Sequence, residues 1–197
     1  MKITPRRLPL PHTLRGLGLV EIMIGVAVIG VLAAVAMPAM SDFLERRRVV
    51  AVTGELMSIL AYAKSETNVV GAGLNLHLED DPDNAMSCAA VVTQTLGDDC
   101  KCYRPAGSIC PTSGTLLRLF QLPRSDSVGF TATASAWGAL NQVATFNRKT
   151  HQQVEQNFRL TVTGLRTGVT LRIDMNEAGR ITVCSPVGRL GGYPTCS

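Results

Sequence analysis

The sequence Gly16-Leu17-Gly18-Leu19-Val20-Glu21 leads into Ile22–Met40, a run of 19 residues without a charge. At 1.5 Å rise per residue, such a run as an α-helix is long enough to cross a bilayer core of roughly 30 Å. Glu21 stands at its entrance. A carboxylate that borders lipid is costly unless something pairs with it, which makes Glu21 a candidate functional residue. Ahead of it, Met1–Gly16 is basic and carries Pro5, Pro9 and Pro11, which oppose a helix. It lacks the separate apolar region and A-x-A site of a secretory signal cut behind its core. A cut ahead of the core would leave the apolar run on the mature chain.

Charge supports setting this leader apart. The formal net charge of +4 at first suggests acidic partners, but Lys2, Arg6, Arg7 and Arg15 all lie before residue 17. Without those four of the 19 basic residues, 15 basic face 15 acidic. The basicity therefore reads as an orientation signal and not as a nucleic-acid footprint.

From Ser41 to about Asn68 the helix is expected to continue in water. Val49, Val52, Leu56, Ile59, Leu60 and Ala63 recur at steps of three and four, one apolar stripe that needs a cover. Arg46, Arg47, Arg48, Glu55 and Lys64 fall on other faces, the three arginines reading as a solvated charge run. Gly71 and Gly73 end the helix. Beyond them the period changes to two: Leu74–Leu78, Phe158–Val162, Val169–Ile173 and Ile181–Val183 alternate, with Leu116–Leu122, Val128–Ala132 and Val143–Phe146 as weaker strands. Antiparallel strands with one wet face fit that alternation. The predicted fold class is α+β. The predicted organisation is a leader at 1–16, a transmembrane half-helix at 17–40, an amphipathic half at 41–70 and a β-rich head at 71–197.

All six cysteines, Cys88, Cys100, Cys102, Cys110, Cys184 and Cys196, lie in the head. An even set in an exported domain reads as disulfides formed in an oxidising compartment. Cys184 with Cys196 would close a short C-terminal loop worth about 3 kcal/mol in the chain-entropy account. Cys100 and Cys102 are badly placed to bond each other, so Cys88 is expected to take one and Cys110 the other, which one staying open. The spacing lacks the paired C-x2-C knuckles of a zinc ribbon. Glu79-Asp80-Asp81-Pro82-Asp83-Asn84 lacks EF-hand spacing and reads as a solvated turn, not a calcium site. His77 and His151 have no local ligand partners and read as surface or strand residues. With no matched nucleophile and base, no phosphate loop and no paired carboxylates, the sequence points to neither an enzyme nor a cofactor or metal.

The N-terminal third resembles the type IV pilins and the pseudopilins of type II secretion. A basic leader ending in Gly16, a hydrophobic Leu17, a Glu fifth after the cut and Pro38 at mature position 22 are the shared features. The stretch Ser41-Asp-Phe-Leu-Glu-Arg-Arg-Arg48, with Glu55-Leu56 and Ala61-Tyr-Ala-Lys-Ser-Glu66, is similar to the branch containing FimT, FimU and GspH. That resemblance implies prepilin-peptidase cleavage between Gly16 and Leu17, N-methylation of Leu17, a helix kink at Pro38 and an assembly role for Glu21. It also favours the Cys184–Cys196 staple. It implies a single-pass inner-membrane subunit with its head in the periplasm, later in a pilus or pseudopilus. The implied partners are major and minor pilins or pseudopilins, the peptidase, the inner-membrane assembly platform and the bilayer. The leading expectation is a minor pilin that helps to prime a type IV pilus, with an H-type pseudopilin second. A third reading is a DNA receptor at the pilus tip. FimT-like proteins carry a Gly-Arg-x-Arg motif for this, whereas Gly188-Arg189-Leu190-Gly191 lacks the second arginine. DNA contact through Arg189 and Arg180, with Arg172 and Arg166, is accordingly not favoured over arginines on the wet face of a sheet.

Overall fold

The computed structural model describes residues 18–80, 83, 85–93, 100–111, 114–124, 127–133, 142–146, 158–176, 179–187 and 190–196. Helix α1 runs Leu19–Val70 and belongs to two compact units that divide between Met40 and Ser41. Its exit is set by Gly71, whose φ of +70° supplies the left-handed turn that ends many helices.

Among the described residues of the second unit, eight strands form two antiparallel four-stranded sheets. The first has the order β3-β2-β1-β5, built from β1 (Leu74–Asp80), β2 (Met86–Thr93), β3 (Leu116–Pro123) and β5 (Gln142–Phe146). The second has the order β4-β6-β7-β8, built from β4 (Val128–Thr133), β6 (Phe158–Gly164), β7 (Thr170–Met175) and β8 (Ile181–Cys184). The described part of the head is thus built on two sheets. At their junction Phe120 of β3 stacks on Phe130 of β4 with centroids 5.9 Å apart.

One core joins helix and sheets. Val49, Val52, Leu56, Ile59, Leu60 and Ala63 of α1 are all buried, in a cluster with Leu74, Leu76 and Leu78 of β1 and Leu160, Val162, Leu171 and Ile173 of the second sheet. Burying a Leu- or Ile-sized side chain contributes roughly 1.5–3 kcal/mol, so this stripe holds the helix half from Ser41 onward to the head.

Strand β2 has no counterpart in the sequence expectations. Its six central residues are all buried, so it shows no alternation. Ala89 and Val91 face the main core, while Cys88, Ala90 and Val92 face a second cluster with Cys100, Cys102 and Ile109. The segment around those cysteines covers the outer face of the first sheet. The same cover corrects the expectation of one wet face for β1, because Asn75, His77 and Glu79 are buried as fully as the leucines between them.

Candidate assembly surface and the clasp on the head

Within the first unit no described residue is buried. Leu19, Ile22, Ile29, Leu32 and Val35 are each more than half exposed, and the apolar character runs around the whole helix. A helix that is apolar all round and uncovered by its own chain is suited to lipid or to other apolar helices. Added Cβ atoms at Gly25 and Gly30 would meet nothing, so neither glycine is needed for packing within the chain. Glu21 is exposed in the first turn, where its N–H and that of Ile22 donate to the Gly18 carbonyl at 3.0 and 3.2 Å. Pro38 lies inside the helix. Gly16 and Leu17 lie outside the described residues.

The second unit holds a contact that sequence reasoning missed. Glu45 is 2% exposed at its side chain, although three arginines follow it in the sequence. The β6–β7 turn receives it. Gly164 N–H donates to Val169 O at 2.8 Å, Gly168 N–H donates to Gly164 O at 3.0 Å, and Gly168 takes φ +66°. This turn aims two backbone donors at the carboxylate, Arg166 N at 2.8 Å from Oε1 and Thr167 N at 3.2 Å from Oε2. Consecutive N–H groups of this kind form an anion-binding concavity. The Arg166 guanidinium adds Nε at 3.6 Å from Glu45 and reaches Asp42 at 2.5 Å. Gly164 makes the space, since a Cβ there would lie 2.7 Å from Glu45 Oε1. The sequence did contain a signal. Stepping back from Val49 by four lands on Glu45, which places it on the buried stripe.

The arginines weighed for DNA are not brought together as free cations. Arg172 binds Asp174 through Nε at 3.0 Å and a terminal nitrogen at 2.9 Å. Arg166 is committed to Asp42 and Glu45. Arg180 is exposed, its backbone N–H held by Asn176 Oδ1 at 2.8 Å. Arg189 lies outside the described residues, as does His151.

The cysteines form three bonds: Cys88–Cys102, Cys100–Cys110 and Cys184–Cys196. The last closes the C-terminal segment beside a bridge of Ser185 to Thr195. Glu79, Cys88 and Cys102 converge as metal ligands would, yet both sulfurs are in one disulfide. The Glu79 oxygens are also occupied, Oε1 by Lys101 Nζ and Oε2 by Cys102 N–H, each at 2.9 Å. Glu79 is therefore a buried strand residue and not part of a solvated turn. Asp83 is exposed, and Asp81, Pro82 and Asn84 lie outside the described residues.

A comparison with characterised proteins finds a similar stretch in the type IV major alpha-pilin of Moraxella bovis, 45% identical over 42 residues. The match spans 21% of this chain and 26% of the relative's length. No family profile and no solved structure matches the chain.

Proposed function

We propose that this chain is a non-catalytic filament subunit, a minor pilin of the FimT and FimU kind that helps to prime a type IV pilus. The observation that carries the reading is the described part of the first unit. From Leu19 to Met40 it is an apolar helix that buries nothing against its own chain and bears one carboxylate, Glu21, in its first turn. The similarity to an alpha-pilin and the α+β layout, with a long helix packed on antiparallel sheets, support it. On this reading, 1–16 is a leader cut by a prepilin peptidase after Gly16, and the new Leu17 amine is methylated. Residues 17–40 hold the subunit in the inner membrane as a single span, and the head from 71 to 197 lies in the periplasm. Pro38 bends the span, and the assembly platform and other pilins are the partners.

Glu21 acts through charge. An uncompensated carboxylate among apolar helices costs several kcal/mol, so it seeks a cation. Cleavage creates one at Leu17, one helical turn away, and a neighbouring subunit presents the same amine. Pairing across subunits sets the axial register and admits only processed chains. An H-type pseudopilin would use the same parts. The DNA-receptor reading is weakened by the commitment of Arg166 and Arg172 to carboxylates.

The test uses two variants in a piliated cell. Gly16→Glu should leave only the longer precursor on blots, because a long charged side chain stands where the peptidase meets a hydrogen. Glu21→Ala should be cleaved and membrane-inserted, yet depleted at least several-fold from sheared pili. A mature-sized Gly16→Glu band sinks the cleavage site. Recovery of Glu21→Ala at the wild-type ratio to major pilin sinks the charge pair.

A further inference from the structure

Two exposed arginines near the end of the apolar run have no carboxylate partner among the described residues. Arg46 and Arg47 follow Met40 by six and seven residues, less than two turns of the same helix. The acids nearest to them in sequence, Asp42 and Glu45, are taken by Arg166 and the β6–β7 turn. Among the described residues no carboxylate forms an ion pair with either arginine. The Arg47 guanidinium instead lies 4.7 Å from the centre of the Phe43 ring, whose side is open to solvent. Together with Val50, Ala51 and Leu190, these residues line an open groove of about 700 Å³ whose lining is mainly apolar.

We infer that this groove is a headgroup site for an anionic phospholipid. The inference rests on the reading that Leu19–Met40 lies in a bilayer. The groove combines the two chemistries such a lipid presents. Guanidinium groups grip phosphate oxygens through paired N–H donors, and they tolerate partial dehydration better than ammonium groups. Phe43, Val50, Ala51 and Leu190 offer an apolar floor to the glycerol and upper acyl carbons. Arginines directly beyond a span sit at the depth of lipid phosphates, and in the periplasmic leaflet that the proposed orientation gives them each can pair with an anionic headgroup. A protein partner would have to bring an acid to the same place, whereas the bilayer already supplies it. The lipid would thus hold the subunit at the membrane surface until extraction into a fibre strips it away.

The test places the full chain in phosphatidylcholine nanodiscs with spin-labelled phosphatidylglycerol or spin-labelled phosphatidylcholine of matched chains. Spin resonance reads the motionally restricted lipid. Phosphatidylglycerol should be restricted in preference, and the preference should fall up to roughly fivefold for each of Arg46→Gln and Arg47→Gln. The double lysine variant should keep most of it, and 1 M salt should reduce it. Both side chains are exposed, so these substitutions leave the core untouched. Equal restriction of the two lipids, or a preference indifferent to the double glutamine variant, overturns the site while leaving the anchor standing. A site that takes up glycerol phosphate from solution but not disc-borne phosphatidylglycerol also overturns it. A chain that does not enter the discs at all overturns the anchored reading together with the site.

Discussion

The two sheets of the head have four strands each and the same antiparallel pairing, but their outer faces meet different surroundings. In the first sheet, Cys88, Ala90 and Val92 lie beneath the cystine-bearing segment, with Ile109 pressed into the same cluster. In the second, β6 alternates buried Phe158, Leu160 and Val162 with exposed Arg159 and half-exposed Thr161 and Thr163. One sheet is a middle layer, the other an outer wall. The difference matters because the first sheet's cover is short and irregular. Cys88–Cys102 ties it covalently to β2, and Cys100–Cys110 closes it on itself.

The largest expected effect comes from breaking that cover. Cys88–Cys102 ties β2 directly to the covering segment across 14 residues. Replacing both cysteines with alanine removes about 3 kcal/mol of loop constraint in the chain-entropy account. It also frees the segment to lift from Ala90 and Val92. We expect a loss of about 3–5 kcal/mol in urea unfolding, with 1-anilinonaphthalene-8-sulfonate binding to the newly opened face. Removing Cys184 and Cys196, whose separation is 12, should cost a similar loop term without opening either sheet face. Equal dye binding by the two variants would break the contrast between the sheets.

A middle-sized effect tests how the outer wall is tied to the helix. The second sheet holds α1 through its core face and through the β6–β7 turn that cradles Glu45. Gly164→Ala puts a methyl 2.7 Å from Glu45 Oε1, so either the carboxylate or the turn must move. We expect about 1–3 kcal/mol lost, as in other overpacked sites. Glu45→Ala alone leaves the Arg166 and Thr167 N–H groups without their acceptor, at a cost of about 1–3 kcal/mol. In the double variant the methyl has room, so the two losses should fall short of additive by at least about 0.5 kcal/mol. Strict additivity in a urea-unfolding cycle would show that Gly164 is not there for Glu45.

Legibility in the sequence followed the same contrast. The stripe from Val49 to Ala63 and the alternation in β6, β7 and β8 were readable because each element has one covered face. β2 was not, because Met86-Ser-Cys-Ala-Ala-Val-Val-Thr93 is buried on both sides and so carries no period. β1 shows the opposite failure. Its period of two is real, but Asn75, His77 and Glu79 mark a second buried layer and not water. Glu45 was hidden by its neighbours, since an acid ahead of three arginines reads as surface charge. Its spacing to Val49 and Val52 spoke for burial, but no local pattern names the turn 121 residues later that receives it. The pairing of Cys88, Cys100, Cys102 and Cys110 could be narrowed but not chosen, because the choice depends on where β2 lies.

The smallest expected effect compares the cation–carboxylate contacts on the two outer faces. On the first sheet, Lys101 Nζ meets Glu79 at 2.9 Å, the carboxylate 2% exposed and also bound by the Cys102 N–H. On the second, Arg159 Nε stands 3.9 Å from Asp174, with the two side chains 49% and 30% exposed. Water screens that pair, and Asp174 keeps Arg172 at 2.9 Å when Arg159 is removed. Pairs this open contribute about 0–1 kcal/mol, so Arg159→Ala should change stability by no more than about 0.5 kcal/mol. Lys101→Ala takes the cation away from a buried carboxylate and should cost clearly more, about 1–3 kcal/mol. Urea unfolding of the two single variants side by side is the check. If Arg159→Ala matched Lys101→Ala, the second sheet's outer face would have to be covered as the first one is, and the distinction between middle layer and outer wall would fail.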